Sequence, residues 1–94
     1  MAEIEYMRLP GKFDYGHLKA FTAASSALLA DDSVKNVILD FTWVEYLDSS
    51  ALGMMVLAKK KFKEKNKLIK ITGAHGSTKE ILIMANMNKI FEFI

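Results

Sequence analysis

The feature that most constrains the fold of this chain is the regular alternation of short apolar runs with longer amphipathic segments. Four runs are rich in strand-forming residues, at positions 4–9, 37–41, 68–71 and 90–94. Three segments between them carry apolar side chains at helical spacing, and strands that alternate with helices assemble through right-handed crossovers. The sequence therefore predicts an α/β fold with a four-stranded, mainly parallel sheet and the element order βαβαβαβ.

Turn residues and caps mark the ends of the predicted helices. The turn Asp14-Tyr15-Gly16 precedes a helix over 17–30, and the second helix starts at Ser49. Residues 77–80, Ser-Thr-Lys-Glu, match a capping box for the third helix, which Asn86 ends in the left-handed conformation. The helical positions that we expect to face the core are Leu18, Phe21, Ala24, Ser25, Leu28 and Leu29, then Ala51, Leu52, Met55, Val56, Ala58 and Phe62, and finally Ile81, Leu82, Met84 and Ala85.

The second strand and its neighbours place the predicted site. The run at 37–41 is almost wholly apolar, which is typical of a strand that is covered on both faces. Residues 42–47 form a connector, and the strand-to-helix junctions bring the carboxyl ends of the strands to one rim of the sheet. We therefore expect the loops that hold Asp14 and residues 73–77 to converge near Ser49.

Composition is that of a globular protein and excludes several kinds of site. The 94 residues predict one domain, 1–94, of which 51% is hydrophobic and 26% charged. Without cysteine there is no disulfide framework and no thiolate chemistry, and nothing indicates a cofactor or a metal. The acidic N-terminus does not resemble a signal peptide, and the longest apolar run, 51–58, is too short to span a bilayer. We therefore expect a cytoplasmic location and no membrane insertion.

The stretch 59–67 is strongly basic, with six lysines and one glutamate, although the net charge of the chain is only +2. A basic cluster can attract nucleic acid. These lysines lie at the end of a predicted helix, where positive charge complements the helix dipole. The stretch also lacks arginine, and the periodicity assigns its one aromatic, Phe62, to the core. We interpret the lysines as a solvated face and expect no direct binding of nucleic acid.

The segment 47–53, Leu-Asp-Ser-Ser-Ala-Leu-Gly, places two hydroxyls and a carboxylate where an apolar run passes into a helix. The free backbone N–H groups and the positive end of the dipole favour an added negative charge there, so the position suits a phosphate. Asp and Ser are also preferred at this position as ordinary N-caps. The chemistry of the motif alone leaves both interpretations open.

Several motifs, taken in order, resemble the STAS family, the domain shared by sulfate transporters and anti-sigma factor antagonists. Residues 9–14 are similar to the family's opening L-x-G-x-[LF]-D, and residues 46–50 to its core motif [FY]-[ILM]-D-S-[ST]. Residues 37–41 resemble its central strand, and residues 71–93 follow its closing pattern of helix and strand. The resemblance covers nearly the whole chain and implies a STAS-like fold.

The resemblance implies a partner-switching regulator and not an enzyme. Ser49 matches the serine that is phosphorylated in the bacterial anti-sigma factor antagonists. In that system the unphosphorylated protein binds an anti-sigma factor, a histidine-kinase-like ATPase with serine kinase activity, and so releases the sigma factor. Phosphorylation breaks the complex, and a phosphatase resets it.

Three polar residues around Ser49 are expected to take part in partner binding. Asp48 is a helix cap, a charge that orients the partner kinase, or both. Ser50 is a first-turn hydroxyl and not a second phosphate acceptor. Asp14 is a turn residue by its local sequence and a neighbour of the phosphorylation site by the resemblance.

Two apolar residues complete the predicted partner surface. Trp43 is either an aromatic that caps the core or an exposed anchor, since interfaces favour tryptophan. Met54 and Met55 cannot both face inward on one helix, so we assign Met54 to the surface, where methionine suits adaptable contacts.

The sequence departs from the family pattern at two places that bear on function. Ala51 stands where members usually have glycine after the second hydroxyl, and its methyl group can narrow the approach of a kinase to Ser49. Many members also carry an extra strand before the one that ends at Leu9. Its absence would leave one edge of the sheet less covered, so self-association into a homodimer stays open.

A second function stays open beside the first: a stable accessory subunit, such as the STAS component of a lipid-transport ABC complex that docks on an ATPase permanently. Enzyme chemistry has little support. His17 and His75 lack a carboxylate at metal-ligand or triad spacing, although a triad of Ser49, His75 and Asp14 is geometrically conceivable on one rim. The chain has no Walker-type loop, and we expect no enzymatic activity.

Overall fold

A computed structural model of the chain describes residues 3–94, and its helices and strands follow the predicted order with three additions. The predicted turn before the first α-helix is a 3₁₀ turn at Tyr15–His17. The elements are β1 (Ile4–Arg8), β2 (Lys12–Phe13), α1 (Leu18–Ala30), β3 (Asn36–Asp40), β4 (Tyr46–Leu47), α2 (Ser49–Glu64), β5 (Leu68–Thr72), α3 (Gly76–Met84), α4 (Met87–Ile90) and β6 (Glu92–Phe93). The additions are the strands β2 and β4 and the short helix α4.

The main sheet has four strands in the order β1-β3-β5-β6, and all neighbours are parallel. The predicted α/β fold is therefore confirmed. The two-residue strands β2 and β4 pair with each other in a separate parallel ribbon, with Phe13 opposite Leu47. They were missed because two residues are too few to show a period of two. Both residues of this pair are buried, so the ribbon joins the turn before α1 to the start of α2.

The helices cover one face of the main sheet. Strands that follow one another in sequence order through right-handed crossovers keep all their connections on the same side. On that side Val37, Leu39 and Ile71 are buried in the core. Ile38 points to the other side and lies outside this core, and it is only 3% exposed because Tyr6 and Lys70 flank it in register. The strand is therefore buried on both faces, as expected, although neighbouring strand side chains and not a helix cover its second face.

Helix α2 buries a regular stripe at Ala51, Met55, Ala58 and Phe62, which are the i, i+4, i+7 and i+11 positions of one helix face. Leu52 packs partly against the core, whereas Val56, which we expected there, is exposed. Val56 follows Met55 directly, so it points about 100° away from the buried stripe. In helix α1 only Phe21 and Ser25 are buried. Leu28 and Leu29, near the C-terminal end of the helix, are partly buried against the core.

The last helix of the predicted order differs most from expectation. Helix α3 begins at Gly76, and its N-cap His75 makes no side-chain capping bond, so the predicted capping box at 77–80 is wrong. Thr78 and Leu82 are buried, while Ile81 is exposed and Met84 is 82% exposed. Asn86 has φ +63° and ends α3 as predicted.

The chain re-enters helical structure immediately after this left-handed residue. Met87 and Phe91 are buried at either end of α4, which shortens the last strand to Glu92–Phe93. A strand over 90–94 was expected because an apolar run of this length does not distinguish one helical turn from an extended segment.

Candidate functional site

Ser49 is the first residue of α2, and its side chain is exposed to solvent. The segment before it is extended: Leu47 is buried at the end of β4, and Asp48 has φ −113° and ψ 179°. This change from extended to helical backbone turns the serine out of the core. The hydroxyl therefore lies at the positive end of a 16-residue helix, and phosphorylation of Ser49 stays a prediction.

Asp48 uses both of its carboxylate oxygens to build this helix start. Oδ1 accepts a hydrogen bond from the backbone N–H of Ala51 at 3.0 Å, which is an N-cap bond. Oδ2 accepts from the backbone N–H of Tyr15 at 3.2 Å, across 33 residues of sequence. The interpretation of Asp48 as a helix cap is confirmed. The second bond also fixes the loop before α1 against the start of α2.

Asp14 holds that loop in shape from within. Its Oδ1 accepts from the backbone N–H of Gly16 at 3.0 Å and lies 3.2 Å from Nδ1 of His17, and Lys12 Nζ lies 3.9 Å from Oδ2. The local interpretation of Asp14 as a turn residue is thus confirmed. Because the next residue, Tyr15, bonds to Asp48, Asp14 belongs to the loop that borders Ser49.

Aromatic side chains stand out from the surface beside the site. Trp43 is 59% exposed, so the alternative in which it caps the core is wrong; the Arg8 guanidinium lies 5.7 Å from its ring centroid. Tyr15 is 72% exposed, and Tyr46 is half exposed with Lys12 Nζ 5.8 Å from its ring. The two tyrosines were missed as site residues. Two signals could have found them, the turn that holds Tyr15 and the alternation of Tyr46 with buried Leu47.

The remaining predicted residues are less accessible. Ser50 is half-buried in the first turn of α2. Met55 is fully buried and Met54 is not, as expected from their adjacency. Met54 nevertheless packs partly against the core between α1 and α2, and its Sδ accepts a hydrogen bond from Thr22 Oγ1 at 3.7 Å. Only part of its surface is open to a partner.

The third loop of the rim, residues 73–75 between β5 and α3, contacts the turn after β3 that contains Thr42, which we name the Thr42 turn. Gly73, at φ +74°, lies so close to Thr42 that a β-carbon on it would be 2.5 Å from Thr42 Oγ1. His75 Nε2 lies 2.9 Å from the carbonyl oxygen of Thr42. Within residues 3–94, the loop thus contacts the Thr42 turn, and His75 and Asp14 are each engaged away from Ser49.

Asp40 holds the Thr42 turn through two hydrogen bonds, and these bonds make the stability of the fold depend on pH. The Thr42 hydroxyl, at 2.5 Å, and the Thr42 backbone N–H, at 2.9 Å, both donate to Oδ1 of Asp40. These bonds hold the pKa of Asp40 below its ordinary value, with partial burial acting weakly in the opposite direction. The ionised carboxylate is therefore the form that stabilises the fold.

Replacement of Asp40 by Asn is expected to lower the free energy of unfolding at pH 7 by about 1 kcal/mol, because the amide accepts these bonds less strongly. A lowered pKa contributes stability above the unfolded-state value, about pH 3.9, and the contribution disappears as the pH falls through the folded-state value. Urea unfolding at pH 7, 4 and 2.5 should show the wild type and Asp40→Asn converging in acid. A constant difference at all three pH values would contradict the assignment.

One exposed face of α2 runs on from Ser49. Ser49, Gly53, Val56, Leu57 and Lys60 are all exposed, at the i, i+4, i+7, i+8 and i+11 positions, and we name them the α2 stripe. It begins with a hydroxyl, continues through a glycine and two apolar side chains, and ends in lysine. The α2 stripe thus combines exposed apolar area with a positive charge at its far end.

In the part of the chain between residues 3 and 94, none of the helices is long and apolar enough to cross a membrane. Nor do these residues contain a group of three His, Asp or Glu side chains arranged to hold a metal ion.

Comparisons with known proteins identify the family. The family model described as "Mlab, STAS domain" matches residues 4–92. A STAS-domain containing protein of Pseudomonas aeruginosa (strain UCBPP-PA14) is 27% identical over 86 residues, which are 92% of this chain and 83% of that protein.

Solved structures share the fold at low sequence identity. Phosphorylated SpoIIAA, a Bacillus cell fate determinant, is 15% identical with a TM-score of 0.75; the match covers 100% of this chain and 85% of SpoIIAA. A sulfate transporter family protein from Wolinella succinogenes is 13% identical with a TM-score of 0.83, over 99% of this chain and 78% of that one. Since the family model spans nearly the whole sequence, the chain belongs to the STAS-domain family.

Proposed function

We propose that this chain is a partner-switching regulator of the anti-sigma factor antagonist type, with Ser49 as the switch. The observation that carries the proposal is the position of Ser49, exposed at the first residue of α2 and at the head of the α2 stripe. In the unphosphorylated state the stripe binds an anti-sigma factor with serine kinase activity and the fold of a histidine-kinase-like ATPase. Phosphorylation of Ser49 releases that partner, and a phosphatase restores binding.

The physical basis of the switch is a difference in solvation between the free and the docked protein. A phosphate adds about −1.5 to −2 charges at neutral pH. In the free chain the helix start and bulk water tolerate this charge. In a complex it would be desolvated next to the carboxylate of Asp48, which is fixed in place by Ala51 and Tyr15. The added charge therefore weakens docking without any change of fold.

The structural neighbours support this interpretation. SpoIIAA is similar to this chain in its phosphorylated form, with a TM-score of 0.75, and in its unphosphorylated form, with a TM-score of 0.72. The latter is described as an anti-sigma factor antagonist. We further propose that Trp43, Asp14, Ser50 and the open part of Met54 border the docked partner.

Replacement of Ser49 by Asp is expected to weaken binding to the anti-sigma factor kinase at least 100-fold and to leave the fold intact. Calorimetric titration of the purified kinase, taken from the organism that encodes the chain, measures the affinity. Far-UV circular dichroism and urea unfolding measure the fold. Incubation of the wild type with the kinase and ATP, followed by peptide mapping, should locate one phosphate at Ser49.

The matched control is Ser77→Asp, which adds the same charge to another exposed serine in the first turn of a helix, α3. It should bind the kinase as tightly as the wild type. Unchanged affinity of Ser49→Asp would overturn the switch, and so would phosphate at Ser77 in place of Ser49.

A second function is favoured by two observations: the matching family model carries the name Mlab, and Val56 and Leu57 are exposed on the α2 stripe. We propose as the alternative a stable accessory subunit that docks on the ATPase of a lipid-transport ABC complex. Permanent interfaces are more hydrophobic than transient ones, and Val56 and Leu57 would contribute apolar area to such an interface. This alternative predicts co-purification with the ATPase that survives Ser49→Asp and is abolished by Leu57→Asp. The switch instead predicts that Ser49→Asp alone suffices to dissociate the complex.

A further inference from the structure

Strand β1 forms one edge of the main sheet, and no strand among residues 3–94 pairs with its outer side. Of its five residues, Ile4 to Arg8, two are charged, Glu5 and Arg8, whereas Ile4 and Tyr6 are exposed strand-forming side chains. Natural proteins usually protect an exposed edge with charge, proline, a bulge or a covering element. On the β1 edge charge is the protection that the strand itself carries, so its backbone can pair with another strand only in a register that keeps like charges apart.

The hydrogen bonds to β3 show which backbone groups of β1 are free. The Glu3 carbonyl accepts from Asn36, and the Leu9 N–H donates to Asp40, so the odd-numbered residues direct their backbone groups at β3. In a parallel pair the alternate residues direct theirs the other way. The N–H and C=O groups of Ile4, Tyr6 and Arg8 consequently point out from the edge.

We infer that a second copy of this chain pairs with this edge, antiparallel, with Tyr6 opposite Tyr6 of the second copy. In this register Ile4 lies opposite Arg8 on both sides of the two-fold axis, and all three outward-facing residues of each strand find a partner. About six backbone hydrogen bonds then join the two sheets into one of eight strands. The arrangement is closed, because the same patch serves both copies.

Charge selects this register over its neighbours. A shift by two residues in one direction would place Glu5 opposite Glu5 of the second copy, a like-charge pair. A shift in the other direction would bring Pro10, which has no backbone N–H, into the ladder. In the register centred on Tyr6, Glu5 lies opposite Met7 and no like charges face each other.

A groove lies beside the edge, on the side of the sheet that the helices cover. It has a volume of about 360 Å³ between β1 and α1 and is mainly apolar, with Met7, Leu9 and Phe21 among the side chains that line it. Its polar lining includes Arg8 and His17. Glu3 and Glu5 of the second copy would lie on this side of the sheet, opposite Leu9 and Met7.

Analytical ultracentrifugation over a range of protein concentrations tests the pairing. The wild type should form a dimer, and Tyr6→Lys, which places two lysines opposite each other at the axis, should weaken the dimer at least tenfold. The control Leu68→Lys makes a similar change on the same sheet face, on a strand that is paired on both sides. It should dimerise as the wild type does. A wild type that stays monomeric up to millimolar concentration overturns the inference, and so does a dimer that Leu68→Lys abolishes and Tyr6→Lys leaves intact.

Cross-linking tests the register, since the chain has no cysteine of its own. Under mild oxidation Tyr6→Cys should form a disulfide-linked dimer, because directly opposite residues lie about 5.5 Å apart between their α-carbons. Ile4→Cys should not, because the two copies of residue 4 lie about 13 Å apart. The double variant Ile4→Cys, Arg8→Cys should cross-link again. Efficient linkage of Ile4→Cys alone contradicts the register. Neither assay uses the α2 stripe or its partner, so their outcome is independent of the proposed switch.

Discussion

Replacing Lys67 with Met is expected to lower the free energy of unfolding by about 2–3 kcal/mol. Lys67 is only 7% exposed, and its ammonium group donates to the carbonyl oxygens of Leu29 at 2.7 Å, Asp31 at 2.8 Å and Leu28 at 3.4 Å. Leu28 and Leu29 lie in the last turn of α1 and Asp31 is its C-cap, so the positive charge complements the negative end of the helix dipole. The carbonyls of Leu28 and Asp31 also accept backbone N–H groups, from Asp31 and Val34. Methionine has a similar length but cannot donate to any of the three carbonyl oxygens.

The matched control is Lys60→Met, the same change at an exposed position in the C-terminal half of α2. It should alter the free energy of unfolding by less than about 0.5 kcal/mol. Urea unfolding followed by far-UV circular dichroism measures both variants. Equal destabilisation by the two substitutions would show that Lys67 acts as one more surface lysine, which is how the sequence alone presents it.

The contacts of Lys67 could not be predicted from the sequence. It closes a run of lysines that reads as one solvated face, and nothing local distinguishes it from Lys65. Its partners lie 36 to 39 residues earlier in the chain. A contact of this kind depends on how α1 and α2 pack, which periodicity does not encode. The interpretation of the lysines as a solvated face is therefore wrong for this one residue.

The start of α2 was predictable for the opposite reason. Asp48, Ser49 and Ala51 are neighbours in sequence, and the cap bond between Asp48 and Ala51 is a local preference of the residue types themselves. The bond from Tyr15 to the same carboxylate is not local, and the sequence predicted only that the loop of Asp14 would lie near Ser49. The site is thus a predictable helix cap to which folding adds a distant loop. The sequence likewise left open whether Trp43 is exposed, because its exposure depends on the packing of distant residues around it.

The apolar pattern predicted the strands better than the last helix. Leu39 and Ile71 are buried in adjacent strands because a central strand of a parallel sheet is enclosed by its neighbours. Helix α3 lies at the margin of the fold and needs only one narrow buried face, at Thr78 and Leu82. Its other faces also carry apolar residues, such as Met84, so the apolar pattern does not show which face packs on the core.

The substitution Gly73→Ala is expected to destabilise the protein by about 3 kcal/mol. Two effects add: alanine at φ +74° is strained by about 1–2 kcal/mol, and its β-carbon would lie 2.5 Å from Thr42 Oγ1 and 2.9 Å from the Thr42 backbone nitrogen. Because a backbone atom is involved, the clash cannot be relieved by a change of rotamer alone. The Thr42 turn must move, and the hydrogen bonds that Asp40 accepts from it weaken.

Gly76 supplies the matched control, because it also has positive φ, at +56°, but a β-carbon there would meet nothing within 4 Å. Gly76→Ala should therefore show the conformational strain alone, about 1 kcal/mol. Urea unfolding of both variants separates strain from contact, and the difference of about 2 kcal/mol measures the close approach of the third loop to the turn that carries Trp43. An equal decrease in the free energy of unfolding of the two variants would mean that the Thr42 turn moves aside at no energetic cost. In that case the third loop would not hold the tryptophan side of the rim in place.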